Sequence, residues 1–122
     1  MQTLTKIRPL WAAMAASCAL AGCATTQPLY QWGSYQSQVH NYFQGEAPEG
    51  QIEALERDLQ KIKASGSAIP PGYHAQLGLL YLHAGKDDQM VQQFQTEKAL
   101  FPESAPYMDF LLKSAKKEGA QQ

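Results

Sequence analysis

Residues 73–82 read Tyr73-His74-Ala75-Gln76-Leu77-Gly78-Leu79-Leu80-Tyr81-Leu82, and this stretch decides the fold. Tyr73, Leu77, Leu80, Tyr81 and Ala84 recur at helical spacing and make one apolar face. Ala75, Leu79 and Leu82 make a second on the far side. A helix apolar on two sides is sandwiched between neighbours. The spacing predicts a helix over about 72–84, with Gly85-Lys86-Asp87-Asp88 as the turn that follows. A partner helix is predicted over about 87–100, with Met90, Val91, Phe94 and Leu100 inward and Phe101-Pro102 ending it.

Three more helices flank this hairpin. The first, about 33–43, has aromatic cues: Tyr35, Val39, Tyr42 and Phe43 fall on helical spacing, and Gly45 to Gly50 breaks it. The second, about 49–64, carries one stripe of Ile52, Leu55, Leu59 and Ile62, and Gly66 can cap its end. Pro70-Pro71 forbids its continuation. The last, about 105–117, has Pro106 in its first turn and is expected to bury Tyr107, Phe110, Leu111, Ser114 and Ala115. Residues 118–122 are expected to fray. No sustained apolar–polar alternation marks a strand, so the class is all-α.

The hairpin carries a further pattern. His74-x₂-Leu77-Gly78-x₂-Tyr81, then Met90-x₃-Phe94, then Pro102 is similar to the tetratricopeptide template W-x₂-L-G-x₂-Y, A-x₃-F, P. His74 stands for the Trp and Met90 for the Ala. Gly78 lets the two helices approach, and Leu77, Tyr81 and Phe94 fill the space between them. One hairpin cannot bury its own faces. The expected fold is therefore a short tetratricopeptide-like hairpin stack of about four to five helices over residues 30–117, with 105–117 as its cap.

The start of the chain decides location. Lys6 and Arg8 precede an apolar run, Leu10 to Gly22, which ends in Leu20-Ala21-Gly22-Cys23. A basic start, an apolar run and small residues before a cut define a secretory signal. Small residues followed by Cys resemble the lipobox of bacterial lipoproteins. Its chemistry needs a thiol: the sulfur takes a diacylglycerol, the chain is cut before Cys23, and the new amino group takes an N-acyl chain. The run is shorter than the ~20 apolar residues a span needs. Residues 1–22 are thus expected to be a lipoprotein signal peptide. Residues 23–29 become a lipidated tether reaching at most about 25 Å. Ala24 is not the Asp that retains enteric lipoproteins in the inner membrane, which points to the periplasmic face of the outer membrane.

Processing would also remove Cys18, and lipid would consume Cys23. No thiol would then remain for a disulfide, a nucleophile or a zinc site. Loss of Lys6 and Arg8 from ten Lys and Arg leaves eight against eleven Asp and Glu, a net charge of −3. No basic footprint for nucleic acid is present. Lys113, Lys116 and Lys117 suit the C-terminal end of a helix.

Four strings carry a family resemblance: Tyr30-Gln31-Trp32-Gly33-Ser34-Tyr35, Pro70-Pro71-Gly72, Leu77-Gly78-Leu79-Leu80-Tyr81 and Phe101-Pro102-Glu103-Ser104-Ala105-Pro106. Together they make the chain similar to a family of small bacterial lipoproteins catalogued as domain of unknown function 4810. The family has no assigned activity. The resemblance implies partnership with other envelope lipoproteins or an outer-membrane assembly, including a curli-export-channel-like lipoprotein.

Two surfaces are candidates for binding. Ala75, Gln76, Leu79, Leu82 and His83 lie away from Leu77 and Tyr81, on the side a repeat of this kind turns to its concave face. An apolar strip with a polar edge suits an amphipathic helix or extended peptide. Tyr30, Trp32 and Tyr35 could instead form an aromatic surface for an envelope glycan or lipid, or pack the first helix down. His74 is expected to be a buried aromatic substitute and His40 to be exposed. No motif surrounds any Ser, no carboxylate pair stands out, and His83 with Asp87 lacks a third metal ligand. The expectation is a binding protein rather than an enzyme, with no cofactor or metal.

Overall fold

The computed structural model describes residues 28–119. The signal segment, Cys23 and residues 120–122 lie outside them. Among the described residues five α-helices follow in order: α1 Tyr35–Phe43, α2 Pro48–Ala64, α3 Tyr73–His83, α4 Asp87–Leu100 and α5 Ala105–Gly119. A 3-10 turn, Pro102–Ser104, links the last two. Among the described residues there is no strand. The chain is all-α, and α5 continues two residues into the stretch expected to fray.

Helix α2 begins with Pro48 in its first turn beside Glu49 and ends with Lys61 and Lys63, charges that oppose the helix dipole at each end. It buries the predicted stripe of Ile52, Leu55, Leu59 and Ile62. Gln51 is buried as well: its amide donates to the carbonyls of Glu46 at 2.9 Å and Ala47 at 3.3 Å and so fixes the α1–α2 loop.

The most extensive contact is between α3 and α4. Gly78 is what permits it. A Cβ on Gly78 would lie 2.3 Å from Phe94 Cε1, well inside van der Waals contact. Tyr73, Leu77 and Phe94 are fully buried with Leu55 of α2 and Met108 of α5. Tyr73 also donates its hydroxyl to the Leu55 carbonyl at 2.9 Å, pinning α3 to α2. Helix α1 packs on α2 and, less extensively, on α3; α5 packs on α4.

Two expected faces differ. In α4, Met90 and Phe94 are buried, but Val91 and Leu100 are exposed. The third inward residue is Glu97. In α5 the inward stripe is Met108, Leu111, Leu112 and Ala115. Tyr107 and Phe110 lie exposed on its flank, with their rings stacked 6.4 Å apart. Met108, Leu111, Leu112 and Ala115 follow helical spacing as well as the aromatic pair does. Leu111 and Ala115 are inward as expected; side-chain size wrongly favoured Tyr107 and Phe110 over Met108 and Leu112.

Candidate functional site

The N-terminal segment 30–34 runs back along the loop between α2 and α3. Tyr30 bridges to Ala68 in parallel, and the Gln31 amide donates to the Ala68 carbonyl at 3.3 Å. Asp58 of α2 then starts helix α1. Its Oδ2 accepts the Ser34 amide at 2.7 Å and the Ser34 hydroxyl at 2.6 Å. Gly33 sits at φ +53°, and a Cβ there would lie 2.7 Å from the same oxygen. Left-handed backbone and lack of space both require glycine. The Ser34 hydroxyl holds the Asp58 carboxyl below its ordinary pKa. The Ser34 amide and Lys61, 3.6 Å away, act the same way, while burial opposes them.

Two aromatic stacks fasten α1 across α3. Tyr35 lies 5.5 Å from Tyr73, ring on ring. Tyr42 lies 5.1 Å from His83, with its hydroxyl 3.3 Å from His83 Nε2. The aromatics continue as a chain of edge and face contacts: Tyr30 to Trp32 at 6.3 Å and Trp32 to Tyr35 at 5.4 Å. Of the candidate surface, Tyr30 and Tyr35 are half-buried, and Trp32 keeps 39% of its area exposed. Burial, with the negative Glu97 nearby, raises the Tyr35 hydroxyl pKa.

The candidate partner face of α3 is mixed in exposure. Ala75, Leu79 and Leu82 are half-buried and packed against the core. Gln76 is buried, and its Nε2 has no hydrogen-bond partner among the described residues. His83 is exposed at the edge toward α1. His74 is buried as expected, its Nδ1 2.6 Å from Gln93 Oε1, and His40 is exposed.

The buried carboxylate Glu97 escaped sequence reasoning. One oxygen accepts the Gly72 amide at 2.6 Å; the other accepts His74 and Ala75 amides at 3.2 and 3.3 Å. It caps the N-terminus of α3 from a neighbouring helix. The signal was available: Met90, Phe94 and Glu97 share one face, and a carboxylate on a core stripe must find donors. A second polar region lies between α2 and the α3–α4 pair. There Glu53, Glu56, Arg57, Gln60, Lys63 and Gln93 line an open groove of 530 Å³. Tyr81 donates to Glu56, and burial first, then that bond, push its pKa up to about 12, so it stays protonated at neutral pH.

The family described as Domain of unknown function (DUF4810) matches residues 29–111. The chain belongs to it. The DUF4810 match opens in the N-terminal segment, spans α1 to α4 whole and closes inside α5. No curated protein and no solved structure matches the chain. Among the described residues no group of three His, Cys, Asp or Glu is placed to hold a metal ion, and no helix is long and apolar enough to cross a membrane.

Proposed function

We propose that this DUF4810 chain is a lipid-anchored protein-interaction module on the periplasmic face of the outer membrane. It would act as a subunit or assembly factor of an envelope lipoprotein complex. Cys23 carries the anchor, and the α3 face of Ala75, Gln76, Leu79, Leu82 and His83 receives a segment of the partner, as the concave side of a tetratricopeptide-like stack does.

The observation that supports this reading is the state of α3. Its other sides are filled, yet three apolar side chains stay half-buried beside a buried amide without a partner. An unpaired buried amide costs about 1–3 kcal/mol. A partner carbonyl met by an outward turn of the Gln76 side chain would recover that cost, while Leu79 and Leu82 supply apolar contact. The aromatic alternative is weaker, because Tyr35 is stacked on Tyr73 and Tyr30 is half-buried.

The test is affinity purification of the lipidated protein from membranes, with identification of what co-elutes. Leu79→Asp with Leu82→Asp is expected to lose the partner while helical circular dichroism is unchanged. Unfolding of that double variant would assign both leucines to the core. Retention of the partner would move the surface elsewhere, with Trp32 the next position to probe.

A further inference from the structure

Residues 24–45 contain no Asp, Glu, Lys or Arg, although the rest of the described chain is rich in them. This uncharged stretch comprises the tether, the segment that crosses the α2–α3 loop, and all of α1. Helix α1 has no fully buried residue. One side lies on α2 and α3; the other faces out with Gln36, Ser37, His40 and Phe43. Leu29 is 74% exposed, Phe43 79% and Trp32 39%. In this stretch the exposed apolar side chains lie among uncharged polar ones.

We propose that the N-terminal segment and the outer side of α1 form a bilayer seat: a surface that rests in the phospholipid headgroup layer holding the acyl chains of Cys23. The proposal rests on the anchored reading above. Chain length selects the bilayer as occupant. Leu29 lies six residues from Cys23, so it cannot stand more than about 20 Å from the acylated sulfur. The bilayer that would hold the acyl chains lies within that reach. The composition agrees. Tryptophan partitions to the headgroup level, where an apolar ring and a polar N–H are both satisfied. Gln36 and Ser37 can hydrogen-bond headgroups without the cost of desolvating a charge. Asp58 and Glu97 are turned inward, onto the amides of Ser34 and of residues 72, 74 and 75, and so do not repel an anionic surface.

The experiment uses the mature acylated protein in phosphatidylethanolamine–phosphatidylglycerol vesicles. Once residues 1–22 are removed, Trp32 is the one tryptophan left, so its fluorescence reports the seat without ambiguity. Expected are quenching of Trp32 by lipids brominated near the headgroup and protection from aqueous iodide. Ser37→Glu with His40→Glu places two carboxylates on the outer side of α1. This variant is expected to float with vesicles yet lose the bromolipid quenching and become iodide-accessible. A protein that carries acyl mass and floats, but whose Trp32 is open to iodide and untouched by bromolipid, overturns the seat alone. Absence of acyl mass on Cys23 overturns the anchored reading and the seat with it. Trp32 protected from iodide without bromolipid quenching, together with cross-links between copies through this segment, would assign the surface to a second copy instead and also overturn the seat.

Discussion

Gly78 and Phe94 show how one absent carbon sets the spacing of two helices. The α3–α4 contact leaves 2.3 Å for a Cβ at Gly78, so even Ala must displace an aromatic ring in the core. Gly78→Ala is expected to cost about 1–3 kcal/mol, read as a lowered urea midpoint with unchanged slope. Phe94→Leu in the same chain should recover part of that loss; an unshifted midpoint in the single variant would remove Gly78 from this role. Asp58 gives a pH signature at the same scale. Its carboxyl is held below the ordinary value of 3.8 by Ser34. The unfolded chain therefore takes up a proton at higher pH than the folded one. The stabilisation is full above that ordinary value and is lost as pH falls through the lower folded value. Asp58→Asn should thus be less stable than wild type at neutral pH, and the gap should close in strong acid. A gap of constant size across the acid range would overturn the assignment.

Helix α3 opens at Gly72 in the left-handed region with no side-chain cap of its own. Its orphan amides are satisfied by Glu97, a carboxylate that arrives from α4 and is itself sealed from water. Hydrogen bonds to a charged group contribute about 1.5–3 kcal/mol, so Glu97→Ala should destabilise by that order, and Glu97→Gln by less. Hydrogen exchange at the Gly72, His74 and Ala75 amides should quicken in both variants; unchanged exchange there would separate Glu97 from capping. Elements of this kind mark the limit of what sequence carried. The α2 stripe was legible because Ile52, Leu55, Leu59 and Ile62 are the only large apolar side chains on that helix. The α5 face was not, since the stripe through Met108 and that through Tyr107 obey the same period and only tertiary contact selects between them. Asp58 was missed because capping across elements joins residues far apart in sequence; the helical period does place Glu97 on the core stripe of α4, but nothing local names the amides it caps. On the candidate site, the spacing did not show that Gln76 is buried, nor that Tyr42 stacks on His83.

At the scale of the whole molecule, the core closes among α2, α3, α4 and α5, with α1 laid over one side. None of the described helices is long and apolar enough to cross a membrane. Under the anchored reading attachment is chemical, made at Cys23, and it should be separable from folding. The buried core of the described residues is drawn from Ile52 to Met108. Cys23→Ala takes away the thiol that must accept diacylglycerol before the signal can be cut. The expected product is an uncut chain that keeps residues 1–22, takes up no radiolabelled fatty acid, and yet shows the same urea midpoint for the helical domain as wild type. Recovery of the shorter, acyl-labelled form from that variant would sink the anchored reading, while leaving the all-α fold and the α3 face as they stand.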